Sequence, residues 1–147
     1  MKYRFEVLAT VTLIFGLMGS QAFSQQCSTR TTAGKYAVVC DGFLTPTPGA
    51  PLVPAKELAV VTADRNGNFT GAGTISIGGT ILQQTVAGTE QLNPDCTGTI
   101  TYEQTIDGQP GPPLDITFFV SQNGNTIDGL VVDSGAVFAC KLTRTKD

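Results

Sequence analysis

Residues 96–106 read CTGTITYEQTI, and this stretch decides the fold class of the chain. The side chains at 96, 98, 100 and 102 can face a core, whereas the threonines between them and Glu103 can face water. A two-residue period is typical of a half-buried antiparallel strand. We therefore predict a strand with one face turned towards the interior.

Seven other segments have a similar character, and turn residues such as Gly, Asn, Asp and Pro separate them. Two connections are longer than the rest: the proline-rich residues 44–55 and residues 107–113. The chain is therefore predicted to be all-β with eight strands. Besides residues 96–106, the predicted strands are residues 34–41, 57–62, 68–77, 80–90, 114–121, 126–133 and 136–144.

Eight sequential strands fit an antiparallel up-and-down barrel, in which the first strand pairs with the last and no edge stays open. A two-sheet β-sandwich is the alternative, because the same alternation serves both architectures. The cysteines favour the barrel. If Lys35 lies near Arg144 in an antiparallel pair, Cys40 falls opposite residues 139–140, within the separation that a disulfide tolerates.

Four cysteines in an exported chain predict two disulfides. We favour Cys40–Cys140, which would seal the barrel seam, and Cys27–Cys96, which would tie the N-terminal arm across one end. The competing pairing of Cys27 with Cys40 and Cys96 with Cys140 would make the inward Cys40 reach outside its strand. In the favoured arrangement, the two long connections emerge together at the opposite end.

Residues 1–24 have the pattern of a signal peptide. Lys2 and Arg4 precede an apolar run at 7–18, and Ala22-Phe23-Ser24 is a small-x-small cleavage site. The run is shorter than the ~20 residues that span a bilayer. We predict a secreted or periplasmic protein, of bacterial origin, in which residues 25–147 form a single β-barrel domain.

The composition removes several function classes. The chain has no histidine and no tryptophan, which excludes imidazole metal sites and histidine-based catalysis. No basic stripe predicts nucleic-acid binding, and no amphipathic helix predicts membrane binding after signal cleavage. Asp128 and Asp133 are five residues apart and would face opposite sides of a strand. We therefore expect no catalytic residue, no metal and no cofactor.

Six side chains in phase with the apolar faces are candidates for binding a small hydrophobic molecule. A barrel of eight strands is either filled by side chains or holds one small ligand, and a filled core is the simpler expectation here. Any ligand would enter at the end framed by the long loops. The candidates are Tyr36, Val38, Phe69, Tyr102, Phe118 and Phe138.

Two short motifs carry a resemblance to known families. With Gly34-Lys35-Tyr36, the long loop after it and Asp95-Cys96-Thr97-Gly98-Thr99, the chain resembles a family of small secreted bacterial proteins of unknown function. It also resembles calycin barrels such as lipocalins, whose first strand opens Gly-x-Trp, although Tyr36 stands in place of the tryptophan. The resemblance implies a barrel that binds a ligand.

We therefore expect a secreted, non-enzymatic binding module. A structural or interaction protein with a filled core is the first alternative. A cofactor-free isomerase or cyclase of the allene-oxide-cyclase barrel type, which would use Tyr or carboxylate groups, is the second. The oligomeric state is not predicted.

Overall fold

The computed structural model describes residues 26–47, 49–121 and 123–146. The predicted signal peptide, residues 1–24, lies outside them. No helix among the described residues is long and apolar enough to cross a membrane. One short helix precedes the strands. The elements are α1 (Thr29–Thr32), β1 (Gly34–Leu44), β2 (Val53–Ala63), β3 (Asn68–Ile77), β4 (Thr80–Leu92), β5 (Thr97–Ile106), β6 (Gln109–Pro110), β7 (Leu114–Val120), β8 (Thr126–Val131) and β9 (Ala136–Arg144).

Eight antiparallel strands form a closed barrel. The sheet order is β4-β3-β2-β1-β9-β8-β7-β5, and β4 pairs with β5 to complete the circle. The two-residue strand β6 pairs antiparallel with the last two residues of β5 and is not one of the eight barrel strands. The predicted barrel is confirmed, including the pairing of the first strand with the last, and the sandwich alternative is wrong.

The pairing register defines how the barrel closes. Directly opposed residues can be followed from Leu82 on β4 through Ile75 on β3 and Glu57 on β2 to Cys40 on β1. The path continues through Cys140 on β9, Gly129 on β8, Phe118 on β7 and Gly98 on β5, and it returns to β4 at Leu92. The return lies ten residues further along β4 (92 − 82 = 10), which is the shear of the barrel. Such a stagger requires the strands to tilt relative to the barrel axis.

Both predicted disulfides are confirmed. Cys40 and Cys140 are direct partners in the β1–β9 ladder, with their Cα atoms 4.0 Å apart. Cys27 is bonded to Cys96 in the turn between β4 and β5, with a Cα separation of 5.0 Å. The second bond lies at the end of the barrel that carries α1, which we call the arm end. The opposite end, with residues 45–52 and 107–113, is the long-loop end.

The second strand starts earlier than predicted, at Val53 instead of residue 57, which shortens the proline-rich loop to residues 45–52. Pro54 therefore lies inside β2. Its carbonyl accepts a hydrogen bond from Gly78 N in the β3–β4 turn. Because the N–H and C=O groups of a strand residue point the same way, the missing N–H falls at the end of the β2–β3 ladder, where proline is tolerated.

Gly98 on β5 leaves room inside the barrel for the ring of Phe118, its partner on β7. A Cβ atom at this position would lie 2.6 Å from the tip of the Phe118 ring, and the ring is itself buried in the core. Any side chain at position 98 would therefore collide with the Phe118 ring. The space that the missing side chain of Gly98 leaves on the apolar face of residues 96–106 is filled by an aromatic ring from the neighbouring strand.

Gly98→Ala is expected to lower the free energy of unfolding by about 1–3 kcal/mol, because the added methyl overpacks the core. Thr99→Ala, on the exposed face of the same strand, should change it by less than about 0.5 kcal/mol. Urea unfolding of both variants measures the difference. Equal effects from the two substitutions would contradict the close packing.

Candidate functional site

The interior of the barrel contains a partly open cavity of about 70 Å³. Its wall is mainly apolar and comes from strands all around the barrel. Tyr36, Phe69, Tyr102 and Phe118 contribute aromatic rings to it, and aliphatic side chains such as Ile100 and Ile116 fill the space between them. The volume is about half of the ~150 Å³ that accommodates benzene in an engineered protein cavity. The space therefore suits a very small molecule.

The structure places five of the six predicted ligand-binding residues on the cavity wall: Tyr36, Val38, Phe69, Tyr102 and Phe118. Phe138 is buried in the core but is not among the wall residues. The rings of Phe69 and Tyr102 are neighbours, with centroids 6.5 Å apart and a tilt of 59°. That these residues bind a ligand stays a prediction.

The cavity does not lie at the long-loop end, where we expected the ligand. Thr32 of α1 and Glu90 near the end of β4 contribute to its wall, and both belong to the arm end. Towards the long-loop end the interior is filled by buried side chains, among them Ala55, Ile75 and Phe138. The open space therefore extends from the middle of the barrel towards the arm.

Glu57 is the most unusual residue of the cavity wall. It lies on β2 opposite Cys40, faces inward and is only 7% exposed. Burial raises the pKa of its carboxyl from an ordinary value of 4.5 to about 7, with no neighbouring charge or hydrogen bond to offset the effect. A buried carboxyl without a partner disfavours its charged form. Glu57 therefore holds a proton up to nearly neutral pH.

Tyr102 shares the cavity with Glu57 and is also buried. Burial, followed by the negative charges of Glu57 and Asp133, raises the pKa of its phenol. The hydroxyl therefore stays protonated under all ordinary conditions. It can donate or accept a hydrogen bond inside the barrel.

Glu90 is the second inward carboxyl. It accepts a hydrogen bond from the Thr32 hydroxyl, which belongs to a side chain with no exposed surface. Burial raises the pKa of Glu90, and this hydrogen bond partly opposes the shift. In contrast to Glu57, Glu90 has a protein partner. The contact joins the short helix of the arm to the barrel.

Arg144 holds α1 and the residue that follows it against the arm end of the barrel. Its guanidinium donates to the carbonyls of Ala33 and Thr31 at 2.7 Å, to the carbonyl of Gly124, and to the Tyr36 hydroxyl at 2.6 Å. It also lies 4.9 Å from the centroid of the Tyr36 ring, a cation–π distance. The Arg144 guanidinium is thus engaged in hydrogen bonds at the arm end of the barrel.

A pair of amides occupies the interior on the long-loop side. The Gln84 side chain donates to that of Gln104 at 3.1 Å, and Gln104 in turn donates to the Pro112 carbonyl. This contact anchors the second long loop to the barrel. Among the described residues, the Gln84 Oε1 atom has no hydrogen-bond partner.

Sequence reasoning missed both inward carboxyls. On β2, Leu58 and Val60 look like core residues, but they are 65% and 42% exposed, and the opposite face carrying Glu57 and Val61 is inside. The signal was available in the pairing register. Because Tyr36 faces inward, its β1–β2 partner Val61 must do so too, and Glu57 is in phase with Val61.

The site holds no obvious metal position. Within the part of the chain that the structure describes, no three His, Cys, Asp or Glu side chains come together in a way that could bind a metal ion. Comparison with protein-family models, curated proteins and solved structures finds no match to this chain. The two resemblances that we drew from short motifs therefore stay predictions.

Glu57 is expected to make the protein less stable as the pH rises. Between pH 4.5 and 7 the unfolded carboxyl is ionised, whereas the folded one keeps its proton. The folded state binds more protons in this range, so the free energy of unfolding falls with pH. The loss between pH 5 and 8 amounts to about 2–3 kcal/mol from Glu57 alone.

Urea unfolding of Glu57→Gln from pH 5 to 8 tests this expectation. The variant should lose most of the pH dependence and be more stable than the parent at pH 8, with Glu90 contributing the remaining slope in the same direction. Glu103→Gln, on the exposed outer face, serves as the control and should keep the parental slope. The same slope in parent and Glu57→Gln would contradict the buried state of the carboxyl.

Proposed function

We propose that this protein is an exported binding module that holds one small molecule inside its barrel. The supporting observation is the internal cavity, which combines an apolar wall with the unpartnered carboxyl of Glu57. Small-molecule sites in proteins are typically apolar, with a few polar groups that fix the orientation of the ligand. In a barrel whose interior serves only as a packed core, such a carboxyl would bring no benefit, because its burial lowers the stability of the fold.

Export is the second part of the proposal. Both disulfides are formed, and disulfides persist in oxidising compartments. Together with the signal-like pattern of residues 1–24, they support a secreted or periplasmic location. In such a compartment the two cross-links would preserve the barrel, and with it the cavity.

Enlarging the cavity should change which ligands are held. Ile116→Ala removes three carbons from the cavity wall and should add space for an aromatic probe such as benzene. The variant should lose about 2–5 kcal/mol of stability, and benzene should restore part of it. Thermal unfolding with and without benzene measures both effects.

Ile75→Ala provides the matched control, because Ile75 is buried but does not line the cavity. It should be destabilised similarly and respond less to benzene. The proposed function would be lost if benzene failed to stabilise Ile116→Ala and native mass spectrometry of protein from its own source showed no bound molecule.

An interaction protein is a second candidate, and the outer surface favours it. Val39 and Leu58 are direct partners on the outside of β1 and β2, and Phe43 pairs with Val137 across β1 and β9. All four are about half exposed or more. If the interior stays empty in the experiments above, this outer face is the next place to look for a function.

A cofactor-free isomerase is the third candidate. Glu57 has a pKa of about 7, which suits a general base, and Tyr102 lies on the same cavity wall as a hydroxyl donor. This candidate requires turnover of a substrate that is lost in Glu57→Gln and in Tyr102→Phe while both variants remain folded.

A further inference from the structure

We propose that the cavity selects a small primary ammonium ion over neutral or anionic molecules of the same size, with Glu57 as its counter-ion. The inference rests on the proposed function, because it names the chemical class of the ligand for the same cavity. It follows from the charge and the hydrogen-bonding capacity of the cavity wall.

The Glu57 carboxyl has no partner among the described residues. Glu57 is more than nine-tenths buried, lines the cavity, and has no hydrogen bond or ion pair among the described residues to offset its burial. Proteins rarely keep a buried carboxyl without a partner. A ligand that brings a positive charge and three N–H donors would supply what the protein lacks at this position.

The cavity wall, as far as the structure describes it, carries no cation that could compete with the ligand. None of the described residues that line the cavity is lysine or arginine, and the chain has no histidine. Arg144 lies just below, but its guanidinium is committed to three carbonyls and the Tyr36 hydroxyl. An anionic ligand would therefore meet carboxyls without a compensating positive charge.

The remainder of the wall fits the rest of such a ligand. Four aromatic side chains line the cavity, and aromatic rings attract an ammonium group through their π-systems. Ile100 and Ile116 offer an aliphatic surface for a short alkyl chain. The volume of about 70 Å³ limits the ligand to a few non-hydrogen atoms.

Binding is coupled to the loss of one proton. Below neutral pH, Glu57 is protonated; on binding, R-NH₃⁺ keeps its three protons, the Glu57 carboxyl releases its proton to solvent, and an ion pair forms. The other titratable groups on the cavity wall are Tyr36, Tyr102 and Glu90. The two phenols stay neutral because their pKa values are raised, and Glu90 is hydrogen-bonded to Thr32.

The experiment compares probes of similar size and different charge. Propylammonium, 1-propanol and propionate are titrated into the disulfide-bonded protein at pH 8, and binding is followed by ligand-observed NMR. For a ligand of about four non-hydrogen atoms, dissociation constants from about 0.1 mM upwards are expected. Propylammonium should bind at least about tenfold more tightly than 1-propanol, and propionate should not bind measurably.

Two further measurements assign the selectivity to Glu57. Glu57→Gln should weaken propylammonium binding by about thirtyfold and affect 1-propanol binding far less, whereas Glu103→Gln should change neither. In the parent protein, the propylammonium affinity should rise by about tenfold per pH unit from pH 5 to 7 and then level off. The second measurement does not depend on whether a variant folds.

The outcomes separate this inference from the proposed function. Equal binding of 1-propanol and propylammonium would overturn the ammonium selectivity while leaving a binding cavity. Potassium chloride that displaces propylammonium at equal concentration would also overturn it, because the apolar wall would then play no part. If no probe binds the parent, the ammonium selectivity fails; the proposed function fails with it if, in addition, benzene does not stabilise Ile116→Ala and native mass spectrometry shows no bound molecule.

Discussion

Closure of the sheet between β1 and β9 is the constraint on which the remaining structure depends. Once eight strands close with a shear of ten residues, the tilt of the strands and the width of the interior are fixed together. Every inward side chain must then fit a space of set size. Phe118 fills the position that Gly98 leaves open, and elsewhere the fit is incomplete, which leaves a cavity of about 70 Å³.

Much of the fold could be predicted from the sequence because its signals are local. The alternation of residues 96–106 and the turn residues between segments indicate strands independently of tertiary contacts. The Cys40–Cys140 disulfide followed from the inward phase of the two residues and the antiparallel pairing of their strands, and Cys27–Cys96 was the remaining pair at one end of the barrel. The early start of β2 at Val53 was missed because a proline normally argues against a strand, and its tolerance depends on where the neighbouring ladder ends.

The site was harder to predict, because it depends on which face of each strand turns inward. On β2 the choice by hydrophobicity selects Leu58 and Val60, yet the barrel turns Glu57 and Val61 inside. The exposure of Leu58 and Val60 and the burial of Glu57 thus follow from the same strand register. A polar group that opposes the hydrophobic pattern is expected where function, and not stability, has set the residue.

The position of the seam disulfide has a mechanical consequence. The start of β1 and the end of β9 lie side by side at the arm end, so tension applied to both would load their hydrogen bonds one after another, as in opening a zipper. The hydrogen bonds from Thr145 to the Lys35 carbonyl and the four pairs from Tyr36–Arg144 to Val39–Lys141 precede the Cys40–Cys140 bond. Rupture would stop at this covalent barrier, and the greater part of the cylinder would stay intact under load.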